Sequence, residues 1–438
     1  MSNSNIQTFQ SITKEQKQSI SLLAAGTFLE YFDLMLYIHM AVLLNELFFP
    51  KTDPYTASLL SAFAFCSTYV LRPFGALIFG YMGDKYGRKT TVVFTTIGMS
   101  ISCIIMANIP TYAQVGIIAA WAVTICRILQ GLTTMGEVIG ANIYITEITK
   151  PPVQYPAVTL MAIAGVTGGV AALGLATFVT AYGYSWRIAF WCGAIIAVVG
   201  TIARTKLRET KDFSDAKLRI ERAVNNTQAN LDILNKSKIW NEKINIKTAL
   251  SLFFIECSWP ACFYVAFIYC GDILKTSFGF SADQVIQQNF MLSIVQLLSW
   301  IILAYLSYKF YPIAILKVKL VIFSVFIVSL PFLLETADSP MHILLIQIFI
   351  VAFGFMGTPA VSIFYQHIPI FKRFRYVAFM YALSRAVIYI ITSFGTVYFV
   401  HLFGHKGIMV ILLPTLLIYT YGIYHFEFID KKVNNGIN

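Results

Sequence analysis

Two carboxylates three residues apart, Glu30 and Asp33, stand inside the first apolar stretch of the chain, where positions i and i+3 share one face of a helix. Arg72 follows in the second apolar stretch, and Arg127 and Glu137 in the fourth. An ionised side chain at the middle of a bilayer is costly, so five of them in three apolar stretches require partners or a purpose. An acid beside an arginine stays ionised, whereas an additional acid in a low-dielectric setting is held protonated closer to neutral pH. That combination is the chemistry of proton coupling. It makes Asp33 or Glu137 the titrating group and Arg127 its conformational partner or a ligand for a substrate carboxylate, with Glu30 and Arg72 as supports. A static set of ion pairs that orients helices is the plainer alternative. Further along, Glu256 and Arg385 either pair with each other or face a substrate.

The elements that must hold these groups follow from composition. The 438 residues are 58% hydrophobic and only 12% charged, about half the charged fraction of a soluble domain. A helix needs about 20 apolar residues to cross a bilayer. Twelve stretches meet that need: 20–43, 58–81, 90–109, 113–136, 157–181, 187–203, 248–270, 285–306, 317–334, 341–364, 376–399 and 407–425. The chain therefore reads as an all-α polytopic membrane protein. A charged, Asn-rich segment, 204–247, divides six spans from six, so the expected organisation is two six-helix halves, 1–203 and 248–438, joined by a linker. Phe28-Leu29-Glu30 and Phe254-Ile255-Glu256 echo each other at equivalent places in the two halves.

Of the 32 lysines and arginines, 25 flank the spans on the side of the chain termini, among them Lys309, Lys317 and Lys319, and four lie on the other side. By the positive-inside rule both termini are cytoplasmic. The same distribution excludes a nucleic-acid partner as the meaning of the net charge of +11, because the cations form no compact domain. Membrane lipid is the expected neighbour. The first nineteen residues are polar and the first apolar run carries two acids, so no cleavable leader is expected. The seven cysteines lie in or at the edge of spans without metal-ligand spacing and read as packing residues. Among the six dispersed histidines only His39 lies where a proton relay is conceivable. No metal, cofactor, phosphate loop or nucleophile–base set is indicated, so neither an enzyme nor ATP-driven transport is expected.

The strongest local motif is Gly80-Tyr81-Met82-Gly83-Asp84-Lys85-Tyr86-Gly87-Arg88-Lys89, in the turn after the second span. Glycines permit a tight turn close to neighbouring helices, and an acid among cations can cap a helix or hold a charge cluster. The motif fits the G-x-x-x-D-[RK]-x-G-[RK]-[RK] pattern of the major facilitator superfamily at every fixed position. Gly26-Thr27-Phe28-Leu29-Glu30-Tyr31-Phe32-Asp33 resembles the opening of the metabolite:proton symporters within that superfamily. Arg72-Pro73-Phe74-Gly75, Cys126-Arg127-Ile128-Leu129-Gln130-Gly131 with Gly136-Glu137, Ser185-Trp186-Arg187-Ile188 and Leu207-Arg208-Glu209-Thr210 fit the same branch in the same order. The resemblance covers residues 26–210 and is closest to proline/betaine transporters.

The resemblance implies the major facilitator fold of two six-helix halves, a site between the halves near the midplane, and alternating access by rocking. It also implies a cytoplasmic gate built on Gly80, Gly83, Asp84, Gly87, Arg88 and Lys89, with Glu147 as the gate acid pairing with Arg88. The implied function is proton symport of a small polar metabolite across the cytoplasmic (inner) membrane, by a monomer. A proline- or betaine-like zwitterion is favoured over a carboxylate such as oxoglutarate, citrate or shikimate. Tyr31, Phe32, Tyr37, Trp259, Tyr264 and Tyr381 are candidates to line the cavity, since aromatic faces suit a quaternary ammonium. The last six spans depart from the pattern: where the Gly-Asp-Arg turn repeats after the eighth span, Tyr308 takes the Asp place and Tyr311 the Gly place. The second latch is thus expected to be lost or rebuilt, and a degenerate, non-transporting binder is an alternative. With only a short stretch after the last span, the coiled-coil tail of osmosensing carriers is not expected.

Overall fold

The computed structural model describes residues 13–49, 54–86, 88–134, 137–205 and 244–434. Among them the chain makes twelve helical passages and no strand. The first is Lys14–Phe48. The second is broken into Pro54–Val70 and Arg72–Tyr86, because Pro73 lacks a backbone donor and restarts the helix at Leu71, whose carbonyl takes the amides of Phe74 and Gly75. The third, Arg88–Asn108, is followed by a fourth in two pieces, Ile117–Thr133 and Glu137–Ile148. Gln154–Ala181 and Arg187–Thr205 are the fifth and sixth. The segment 204–247 expected as a linker lies mostly outside the described residues.

The seventh span begins at Ile246, capped by the Asn245 side chain on the Lys247 amide. It runs to Phe278 through a π-helical stretch, Tyr264–Tyr269, four residues after Pro260 removes a donor from the ladder. Gly279, at φ +68°, closes it. The eighth, Ala282–Lys309, opens on a Ser281/Gln284 capping box, and the ninth, Pro312–Glu335, on a first-turn proline. The tenth comprises Pro340–Phe353 and Val361–Gln366 on either side of an irregular stretch containing Gly354, Gly357 and Pro359. Ile370–Phe403 and Met409–Asn434 complete the bundle.

Six helical stretches among the described residues are long and apolar enough to cross a membrane, and five shorter apolar helices accompany them. The protein is a multi-pass membrane protein. The first span packs along the fifth, the third along the sixth, and the seventh along the eleventh and twelfth. Spans five and eight, and spans two and eleven, pack the first six spans against the last six. The glycines that make the fifth span look weak have a packing role. A Cβ at Gly168 would collide with the Phe28 carbonyl of the first span, so a small residue there sets the close approach of those helices.

One sequence reading is corrected. Lys319 does not flank the bundle: it lies two turns inside the ninth span, 9% exposed, with Nζ 3.3 Å from Met356 Sδ.

Candidate functional site

The twelve passages leave a central cavity of about 160 Å³, lined by spans one, two, four and five on one side and seven, eight, ten and eleven on the other. Its polar wall holds Tyr31, Arg72, Asn142, Glu256, Gln296, Tyr381 and Arg385, and its aromatic wall Tyr69, Trp259, Trp300 and Tyr389. Arg72 reaches it because Pro73 restarts the second helix there and Gly75 lets that helix close on the Leu132 backbone. The Arg72 guanidinium is 2% exposed and lies 4.2 Å over the Tyr69 ring. Its Nε and one terminal nitrogen have no hydrogen-bond partner among the described residues. Tyr69 and Tyr389 meet with ring centroids 4.1 Å apart and, with Phe65 and Tyr264, form an aromatic cluster across spans two, seven and eleven.

Opposite Arg72, Arg385 of span eleven and Glu256 of span seven form an ion pair at 2.8 Å with both side chains about nine-tenths buried. The same guanidinium donates to the Glu256 carbonyl at 2.7 Å and lies 3.7 Å over the Tyr381 ring. The two outcomes expected for this couple are therefore compatible: the residues pair with each other and line the cavity. Tyr381 also meets Tyr31, hydroxyl to hydroxyl, at 3.3 Å, across the two sets of spans. A smaller compartment beside the cavity is walled by Glu30, Arg72, Thr134 and Tyr381.

Asp33 and Arg127 lie off the cavity wall, deeper among spans one, three, four and six. Arg127 has no exposed surface, stacks 3.8 Å over Tyr37 and donates to Gln130 Oε1 at 2.8 Å. Asp33 accepts a hydrogen bond from the Cys103 thiol. The arginines that line the cavity are thus Arg72 and Arg385, and Arg127 belongs to a separate buried cluster. Phe32 and Tyr37 pack in the apolar core of that region, whereas Tyr31, Trp259 and Tyr381 line the cavity. Cys103, read from sequence as a packing residue, contacts Asp33, and Gln130, quoted only as part of a motif, contacts Arg127 and Cys103; a polar residue one turn after Arg127 is the available signal.

At the end that carries the termini, Glu147 is held by Arg373 of span eleven at 3.0 Å, and Gln366 donates to Gln154 at 3.0 Å. Both contacts join the first six spans to the last six. The surroundings of Gly80, Gly83 and Gly87 and the side chains of Asp84, Arg88, Lys89, Glu137 and His39 lie outside what is described, and with them the expected Glu147–Arg88 pair. The turn after span eight is tied down differently from the pattern. The Tyr311 hydroxyl donates to Asp430, which His367 also approaches at 3.3 Å. Burial and the Asp430 carboxylate push the Tyr311 hydroxyl above the ordinary phenol range, so it stays a donor. Lys317 and Lys431 both bind Glu427, at 3.0 and 2.8 Å. At the opposite end Lys275 meets Glu46 at 2.7 Å.

A proline/betaine transporter of Salmonella typhimurium is 30% identical over 204 residues, covering 45% of this chain and 41% of that protein. An inner membrane metabolite transport protein of Escherichia coli is 33% identical over 196 residues, covering 43% and 44%. The matched stretch therefore spans less than half the length of either relative. The solved structure of a D-xylose-proton symporter superposes with a TM-score of 0.66 at 16% identity, over 93% of this chain and 96% of that one. A ligand-bound proton:xylose symporter does so at 0.69 and 17%, over 94% and 95%. A family model described as the Major Facilitator Superfamily matches residues 23–396. Helical architecture, cavity position and family model agree, and the chain belongs to the Major Facilitator Superfamily.

Proposed function

We propose that the protein is a secondary transporter that carries a small carboxylate-bearing metabolite together with protons. The observation that carries the reading is Arg72: a buried guanidinium on the cavity wall with donor groups unpaired among the described residues. Unsatisfied charged donors in a low-dielectric site are costly, and a carboxylate, which accepts from a guanidinium in forked geometry, relieves them. Glu256 and Arg385 neutralise each other, which leaves Arg72 as the remaining cation of the cavity wall among the described residues, with Glu30 in the adjoining compartment. The aromatic rings of the same cavity, Trp259 and Trp300 among them, suit an ammonium or quaternary ammonium pole. Together they favour a zwitterion such as proline or betaine over a dicarboxylate, which has no cationic end for the tyrosines.

In this reading Asp33 carries the proton, with Arg127 as its electrostatic partner and Glu30 as a support beside Arg72. The units 1–203 and 248–438 rock about the cavity, both termini lie in the cytoplasm, and the Glu147–Arg373 and Gln154–Gln366 contacts close the cytoplasmic gate. The turn motif 80–89 stabilises that closed arrangement. The test is uptake of labelled proline, glycine betaine and oxoglutarate into proteoliposomes under an inward proton gradient. Gradient-dependent uptake of a zwitterion, lost in Arg72→Gln, is expected. Undiminished uptake in that variant would remove Arg72 as the carboxylate anchor, and preference for oxoglutarate would replace the zwitterion.

A further inference from the structure

Donor and acceptor chemistry, more than distance, orders the groups around Asp33. Arginine has donors only, so Gln130 must turn its carbonyl oxygen toward Arg127, at 2.8 Å. Its amide nitrogen then faces the other way and donates to Cys103 Sγ at 3.8 Å. With the sulfur already accepting, the thiol hydrogen is directed to Asp33 Oδ1. The result is a one-way chain from Arg127 through Gln130 and Cys103 to Asp33, joining spans four, three and one. Every member is buried: Arg127 and Cys103 at 0%, Gln130 at 1% and Asp33 at 4% exposure. Asp33 Oδ2 has no hydrogen-bond partner among the described residues.

We propose that Cys103 and Gln130 are positioning residues of the proton site, holding Oδ1 of Asp33 as a permanent acceptor and leaving Oδ2 as the atom that takes up and releases the proton. The proposal rests on Asp33 being the proton-carrying group. A proton arriving at Oδ2 forms one O–H bond and leaves the chain of donors unchanged, so the arginine senses the charge of Asp33 without gripping it. A direct Arg127–Asp33 pair would instead favour the ionised acid throughout the cycle. The charged and titratable groups facing Asp33 are Arg127 of span four and Cys103 of span three, with Glu30 one turn earlier on its own helix. The Glu137 side chain lies outside the described residues.

Two measurements test the proposal on the full-length protein. In proteoliposomes, the pH midpoint of gradient-driven proline or glycine betaine uptake is compared among wild type, Cys103→Ala, Cys103→Ser and Gln130→Leu, with Asp33→Asn as the control expected to lack gradient-driven uptake. A charge-assisted hydrogen bond contributes about 1.5 kcal/mol or more, so losing the thiol donor is expected to move the midpoint by about one pH unit to higher pH. Serine restores it because it keeps a donor. Independently of any solute, the infrared S–H stretch that disappears in Cys103→Ala is expected to lie below the other thiol bands and to rise in Asp33→Ala. An unshifted S–H band, or a wild-type midpoint in Cys103→Ala, overturns the proposal. If Asp33→Asn retains gradient-driven uptake, the proton-carrying reading itself fails, whatever the thiol band shows.

Discussion

Replacing Glu256 by glutamine removes one charge from a buried pair and leaves the other in place. The magnitude follows from the surroundings. Arg385 and Glu256 are 11% and 10% exposed and meet at 2.8 Å, and breaking such a pair by removing one partner costs about 3–5 kcal/mol. The guanidinium keeps the Glu256 backbone carbonyl at 2.7 Å, Ser384 Oγ at 3.1 Å and the Tyr381 ring at 3.7 Å, none of which depends on the lost carboxylate. The lower end, about 3 kcal/mol, is therefore expected. For a chain of this length that is about 3 °C in melting temperature. The assay is thermal unfolding of purified Glu256→Gln, Arg385→Gln and the double variant in detergent. Because the double variant leaves no uncompensated charge, it is expected to melt above both single variants. A double variant that melts at the sum of the two losses would refute the argument, since it would mean the side chains contribute independently.

Asp33→Asn is expected to abolish accumulation driven by the proton gradient while retaining exchange of solute across the membrane, measured by counterflow in the same vesicles. Glu147→Gln is expected to change stability by less than about 1 kcal/mol, because the acid is 46% exposed, yet to hasten alkylation of a cysteine placed at Ala162 on the cavity wall by opening the gate; unchanged alkylation counts against the gate role. Lys319→Met, in which an apolar chain replaces a buried ammonium that has a thioether as its hydrogen-bond partner, is expected to melt at or above wild type, and Lys319→Glu well below it. Gly168→Val is expected to reduce folded yield sharply, because its side chain would need the space of the Phe28 carbonyl, and size-exclusion chromatography reads the loss.

The charge pattern needs no structure to interpret. Long apolar runs interrupted by basic turns force a helical membrane bundle, because lipid satisfies no backbone group and helices satisfy their own. Hydropathy alone places three helix ends at 270, 285 and 317, short of Gly279, Ser281 and Pro312, where the cap residues end or start the helices in the structure. The acids of the first span and the arginines of the second and fourth stood out because lipid excludes them. Which of these groups meet was not legible. A helix that is apolar all round presents no amphipathic face, so the pattern cannot say which side looks at lipid, at a neighbour or at the cavity. Only packing decided that Arg72 and Arg385 line the cavity while Arg127 turns to Tyr37 and Gln130, that Glu147 meets Arg373, and that Lys319 is buried. Tyr311 and Asp430, 119 residues apart, rebuild contacts where the repeated motif is missing. Such pairings depend on helix rotation and close approach, set by small residues such as Gly75 and Gly168 against partners far away in the chain; the sequence by itself determined the helices and their charges, and the tertiary structure alone determined their company.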